Sequence, residues 1–127
     1  MRDSVKEDLR YIELMMYNIE RIRENMTRFS KLGIDLSDEM VVENISFNLS
    51  QMGEQASLAK LSEETKEKYP EVDWNSIRLL RNFIDHEYNN IPKREILDAV
   101  RIDVTKLEKI LPVIYDDLRH RNNFRKD

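Results

Sequence analysis

The chain has 127 residues, of which 36% are charged, and its formal net charge is −4 at pH 7. This length is enough for one domain with a modest core, so we expect residues 1–127 to form a single domain. The absence of cysteine excludes disulfides and thiolate metal ligands. No window approaches the roughly 18 uninterrupted apolar residues that a membrane span requires, and the N-terminus is too charged for a secretory signal. We therefore expect a cytoplasmic protein without a membrane partner.

Apolar residues at steps of three and four predict an amphipathic helix at each end of the chain. The first helix, about 3–29, carries a stripe made of Val5, Leu9, Ile12, Met16, Ile19, Ile22, Met26 and Phe29. Gly33 is suited to end it. In the last segment Pro92 fits the first helical turn, whereas Pro112 predicts a kink and a lost hydrogen bond to the carbonyl of Glu108. The stripe of this last segment consists of Leu97, Val100, Val104, Leu107, Leu111, Ile114 and Leu118.

A second helix, about 36–60, carries two parallel rows of side chains. Its core stripe consists of Ile45, Leu49, Met52, Ala56 and Ala59. Beside it lies a row of small residues, namely Ser46, Ser50, Gly53 and Ser57. Because small side chains let backbones approach, this row predicts close contact with another helix, from this subunit or a partner. The alternative is a polar face that is merely exposed.

The middle of the chain predicts two further helices. Ser62 is suited to N-cap a short helix, and Asp73 to N-cap the helix after it, whose apolar positions are Trp74, Ile77, Leu80 and Ile84. No segment alternates with period two, and the connections are short. We therefore predict an all-α fold, an up-and-down four-helix bundle with an extra short helix. The basic stretch 119–126 fits an RNA-binding patch or, as we prefer, a helix end and a tail that frays over about 120–127.

The most informative stretch begins at Arg81 and reads Arg-Asn-Phe-Ile-Asp-His-Glu-Tyr, with the pattern R-x4-H-x-Y. Positions five apart differ by about 140° around an ideal helix, so Arg81 and His86 cannot share one face of an unbroken helix. Asn82 and His86, four apart, can. Either the helix breaks near His86, the two residues meet across a dimer interface, or they have unrelated roles. Leu79 and Phe83 give this helix a second apolar side, which favours a symmetric dimer through it.

The pattern occurs together with further phrases in a fixed order. These phrases are Gln51-Met52-Gly53-Glu54, Leu61-Ser62-Glu63-Glu64, Tyr69-Pro70-Glu71-Val72-Asp73-Trp74 and Leu80-Arg81-Asn82. The set resembles the HEPN superfamily, and within it the HepT-like toxin branch. The resemblance implies a metal-independent endoribonuclease without a cofactor, the toxin of a type VII-like toxin–antitoxin pair. It assigns catalysis to Arg81, Asn82 and His86 in a homodimer, and it implies RNA products with 2′,3′-cyclic phosphate and 5′-hydroxyl ends.

The residue types fit that chemistry. Histidine titrates near neutrality and acts as base or acid, whereas arginine stays charged and stabilises the phosphate in the transition state. Asn82 would orient the imidazole or hold a phosphate oxygen. The resemblance also implies a partner, a minimal nucleotidyltransferase antitoxin that attaches AMP to the tyrosine of the motif, which is Tyr88. A phosphate-bearing group two residues from His86 would repel and block RNA.

Each of these residues also has an ordinary structural interpretation. Arg81 can pair with Asp85 four residues on, and His86 can hydrogen-bond a helix-terminal carbonyl. Asp85 and Glu87 flank His86, and their charge lowers the local affinity for RNA. The competing functional hypothesis is a non-catalytic helical dimer that binds the nucleotidyltransferase, a nucleotide, or both.

Overall fold

A computed structural model describes residues 4–86, 90 and 92–124, and every regular element within them is helical. The all-α prediction is therefore confirmed. The elements in chain order are α1 (Ser4–Lys31), α2 (Glu39–Gln55), α3 (Glu63–Lys68), α4 (Trp74–His86), α5 (Lys93–Asp98) and α6 (Thr105–Phe124). A π-helical segment, Ala99–Val104, joins α5 to α6 without a break. With this C-terminal rod (residues 93–124), α1, α2 and α4 form the predicted bundle, and α3 is the extra short helix.

The core lies where the predicted apolar stripes of α1, α2 and the C-terminal rod meet. α1 contacts both α2 and α6, and α2 also contacts α4 and α5. The most completely buried large side chains are Ile12, Met15, Ile22, Val41, Ile45, Leu49, Met52, Leu61, Ile96, Leu111, Ile114 and Leu118. The helix that carries R-x4-H, α4, is thus attached to the bundle mainly through α2.

α2 is shorter than the predicted helix of 36–60, and that prediction is wrong at both ends. Asp38 caps the N-terminus, since its side chain accepts a hydrogen bond from the backbone N–H two residues on. After Gln55 the chain turns, and the N–H of Ala56 bonds three residues back instead of four. Because the helix has already ended, Ala59 is exposed and does not extend the core stripe.

The row of small residues makes the predicted close contact with a helix of the same chain through two members on α2, Ser50 and Gly53. All four of its members are buried, so the alternative of an exposed polar face is wrong. A methyl group added to Gly53 would lie 2.7 Å from Cβ of Arg81 and 3.0 Å from the carbonyl oxygen of Ile77. We call this contact the α2–α4 seam, and it is formed by Ser50, Gly53, Glu54, Ile77, Arg81 and Asp85.

Both predicted N-caps in the middle of the chain are confirmed. Ser62 accepts a hydrogen bond from the backbone N–H of Thr65, and Asp73 accepts one from the backbone N–H of Ser76. Asp8 of α1 accepts hydrogen bonds from Ser62 and Thr65 as well. These bonds tie the start of the short α3 to α1.

The remaining predictions concern the end of α1 and the course of α6. Gly33 has φ 75°, a left-handed conformation that stops α1, as predicted. α6 continues as a helix through Pro112, and the kink there stays a prediction. Of the tail predicted to fray, residues 120–124 are helical and 125–127 lie outside the described residues. In the described part of the chain, no helix is long and apolar enough to cross a membrane.

Candidate active site

α4 carries all three predicted catalytic residues. It is continuous from Trp74 to His86, so the helix does not break between Arg81 and His86. His86 is its last residue and is exposed, while Asn82 lies one turn earlier and is half-buried. Tyr88, the predicted modification site, lies outside the described residues.

Arg81 is held in the α2–α4 seam by two carboxylates. Its Nη2 lies 2.9 Å from Oε2 of Glu54, and its Nη1 lies 3.5 Å from Oδ2 of Asp85. The side chain is 25% exposed, and its Nε is buried without a hydrogen-bond partner among the described residues. The predicted pair with Asp85 is therefore present, but the shorter contact is with Glu54.

Helix spacing did not predict the ion pair between Glu54 and Arg81. A helix brings together residues three or four apart, and nothing of that kind connects positions 54 and 81. The contact exists because Gly53 lets α2 and α4 approach each other. The sequence did contain one signal. Glu54 is the last residue of Gln51-Met52-Gly53-Glu54, the first of the sequence phrases that resemble the HepT-like branch.

Asp85 links the seam to the end of α4. The hydroxyl of Ser50 donates a hydrogen bond to its Oδ1 at 2.5 Å, while its Oδ2 faces Arg81. Glu54 also faces a second cation, since Nζ of Lys60 lies 4.0 Å from its Oε1. Two carboxylates thus offset the charge of Arg81, which reduces the attraction that it exerts on an RNA phosphate.

Arg81 and His86 leave α4 in different directions. α4 is an unbroken helix, so the two side chains leave it about 140° apart. Arg81 contacts α2, whereas His86 is exposed at the helix end. The helix does not break between the two residues, and residues 87–89, which follow His86, lie outside the described residues. Over the described part of α4 the structure shows no break, and a dimer interface and unrelated roles stay predictions.

An apolar groove of about 790 Å³ lies between α4 and the C-terminal rod. Leu79 and Phe83 line one wall and are 53% and 42% exposed. The opposite wall is formed by Ala99, Val104, Leu107 and Ile110. The second apolar side predicted for α4 is therefore present, and one chain leaves it uncovered.

Fold and site together indicate the class of this protein. Within residues 4–86, 90 and 92–124, no group of three or more His, Asp or Glu side chains is placed to hold a metal ion. The helical bundle is of the HEPN class, as the resemblance predicted. The model of the family described as "Ribonuclease HepT-like" matches residues 2–114, and the chain therefore belongs to the HepT-like ribonuclease family. No solved structure matches the chain.

Proposed function

We propose that this protein is an endoribonuclease, the toxin of a toxin–antitoxin pair, and that Arg81, Asn82 and His86 cleave RNA. The observation that carries the proposal is the match to the HepT-like ribonuclease family over residues 2–114, a range that includes α4 and its R-x4-H. The exposure of His86 at the helix end supports it, because an acid–base group must reach its substrate.

The proposed chemistry requires no metal ion. His86 takes the proton of the ribose 2′-hydroxyl or gives a proton to the departing 5′-oxygen. Arg81 stabilises the additional negative charge on the phosphate, and Asn82 orients the imidazole or holds a phosphate oxygen. The 2′-oxygen attacks phosphorus while the bond to the 5′-oxygen breaks. The products therefore end in a 2′,3′-cyclic phosphate and a 5′-hydroxyl.

We propose that the complete site forms in a symmetric dimer. Two observations support this: Leu79 and Phe83 are uncovered, and Arg81 and His86 diverge on one helix. A twofold axis beside α4 would cover the apolar groove and bring two copies of each catalytic residue into one cleft. In that cleft Arg81 of one protomer acts with the partner's His86.

The proposed partner is a minimal nucleotidyltransferase that silences the toxin by attaching AMP to Tyr88. The sequence supports this assignment, because Tyr88 stands two residues after His86 in R-x4-H-x-Y. A phosphodiester on that tyrosine adds negative charge and bulk beside the imidazole and repels an RNA phosphate. Its RNA substrate and this partner both belong to the cytoplasm, where we propose that the protein acts.

Cleavage of RNA by the purified, unmodified protein in EDTA tests the ribonuclease function. Wild type is compared with His86→Ala and with His120→Ala, a matched control that removes the other histidine of the chain, on α6. We expect wild type and His120→Ala to leave cyclic-phosphate ends. His86→Ala should lose at least about 100-fold in rate, the usual contribution of an acid–base residue. Equal cleavage by His86→Ala would overturn the assignment of His86.

A second candidate function is a non-catalytic dimer that binds the nucleotidyltransferase, a nucleotide, or both. One observation favours it, since Glu54 and Asp85 already offset the charge of Arg81. Binding of the nucleotidyltransferase without any RNA cleavage by the unmodified protein would establish this function instead. Intact mass distinguishes it from a toxin already silenced at Tyr88, whose mass would be raised by AMP units.

A further inference from the structure

Arg81 leaves α4 at the place where α4 approaches α2 most tightly. A methyl group on Gly53 would lie 2.7 Å from Cβ of Arg81, closer than two non-bonded carbon atoms come. Further along the side chain, Nε is buried and has no hydrogen-bond partner among the described residues. The backbone of α2 therefore restrains the base of the side chain, which is 25% exposed as a whole.

The guanidinium still has donors for a phosphate. It carries five N–H groups, of which Nη2 uses one on Glu54 at 2.9 Å and Nη1 uses one on Asp85 at 3.5 Å. The third N–H is on Nε, which is buried and therefore not open to RNA. One N–H is left on each terminal nitrogen, and each of them can donate to a phosphate oxygen; we call these two donors the fork. The contact with Glu54 is thus compatible with RNA binding.

Glu54 and Asp85 restrain Arg81 to different degrees. The contact with Glu54 is the shorter one and joins two helices, so it fixes the guanidinium relative to the bundle. Asp85 lies four residues further along α4 itself, and its contact is at the long limit of a hydrogen bond. The position of the fork is therefore set by Glu54.

We propose that Glu54 is a positioning residue for RNA cleavage, which holds the guanidinium of Arg81 so that its two remaining N–H groups meet the reacting phosphate. This inference rests on the proposed ribonuclease function. An arginine side chain has many rotamers, and an isolated one spends little of its time in any single geometry. Without Glu54 the fork moves by an ångström or so, a displacement that lowers the rate of an oriented reaction.

The test compares Glu54→Ala with Glu108→Ala in the full, unmodified chain. Glu108 is the matched control because it also pairs with an arginine of another helix, Arg23, at 2.6 Å and with the same 37% exposure as Glu54. Glu54→Ala is expected to lower kcat about tenfold, with KM changed less than about twofold. Glu108→Ala should keep both constants, although the two variants lose similar thermal stability. Glu54→Gln keeps an oxygen acceptor for Nη2 and should recover most of kcat.

A double substitution shows whether Glu54 acts through Arg81. In an Arg81→Ala background, Glu54→Ala should cause no further loss, because the group to be positioned is gone. Additional loss there, or an unchanged or raised kcat in Glu54→Ala alone, would overturn the inference. A raised kcat would mean that Glu54 competes with RNA for Arg81. Wild type separates the two proposals: if it cleaves no RNA, the ribonuclease function is wrong and the positioning role falls with it. Full cleavage by His86→Ala would overturn only the assignment of His86.

Discussion

At the scale of single residues, Asp85 has two opposing effects: its carboxylate helps to hold Arg81 in place, and the same charge repels the RNA phosphate of the proposed reaction. Standing four positions after Arg81, it pairs with the guanidinium, and Ser50 holds its other oxygen at 2.5 Å. Standing directly before His86, it puts negative charge where an RNA phosphate must come. Sequence spacing predicted the pair with Arg81. It did not predict the bond from Ser50, because that contact depends on how α2 lies against α4.

Asp85→Asn is expected to lower KM for RNA about threefold at low salt. Asparagine keeps the shape and an acceptor for Ser50 but removes one unit of repulsion, worth about 0.7 kcal/mol for charges about 6 Å apart in water. High salt should abolish the difference by screening. Asp98→Asn is the control, since Asp98 is similarly exposed (47% against 42%) and also pairs with an arginine nearby in sequence. If KM does not change in Asp85→Asn, RNA does not pass beside Asp85.

At the scale of elements, polar side chains help to attach the short α3 and the turn after it to the bundle. Asp8 holds the start of α3, and Tyr69 donates a hydrogen bond to Asp117 of α6 at 2.6 Å. Asp117 also lies 3.3 Å from Lys68 and 3.5 Å from Arg121. Burial, and after it the hydrogen bond to Asp117, raises the pKa of Tyr69 to about 12. This cluster fixes the segment that leads into α4.

Tyr69→Phe is expected to lower the free energy of unfolding by about 1 kcal/mol at neutral pH, because the bond to Asp117 is lost. The pKa of Tyr69 in the folded protein, about 12, lies above its ordinary value of 10.0, so folding favours the protonated hydroxyl. Its contribution is therefore complete below pH 10 and declines as the pH rises toward 12. Urea unfolding over this range measures the decline, with Tyr17→Phe at an exposed position as control. A difference that persists undiminished at pH 12 would contradict this cause.

The π-helical segment Ala99–Val104 is an element that side-chain periodicity did not predict. Val100 and Val104 were placed in the apolar stripe by their spacing of four, and both are buried as expected. A π turn is bonded from residue i to i+5, and a spacing of four, as between Val100 and Val104, is compatible with either kind of turn. The pattern of apolar residues therefore indicated a helix here without revealing its type.

At the scale of the whole molecule, α4 has one side in the α2–α4 seam and another open to the apolar groove. The chain closes the first side itself, through Gly53 and Glu54. It leaves Leu79 and Phe83 exposed on the second, and an open apolar groove of this kind marks an interaction surface. A second copy of the chain is the occupant that the proposed chemistry requires.

Mixing the Arg81→Ala and His86→Ala proteins is expected to restore RNA cleavage, although each variant alone is inactive. If Arg81 acts with the partner's His86, a mixed dimer holds one intact site and one that lacks both groups. With half of the dimers mixed, the rate should reach about one quarter of the wild-type rate. Native mass measures both the dimer of 15.3 kDa chains and the exchange of subunits. No recovery after complete exchange would show that the two residues do not act across an interface.

The sequence by itself determined the all-α class, the caps at Ser62 and Asp73, and the helix on which the candidate catalytic residues lie. These features depend on interactions between residues a few positions apart, which local patterns record. Only the tertiary structure decided that α2 ends at Gln55 and that Glu54, rather than a neighbour on α4, makes the shorter contact with Arg81. Those outcomes depend on how two helices distant in sequence lie against each other, and no local pattern contains that register.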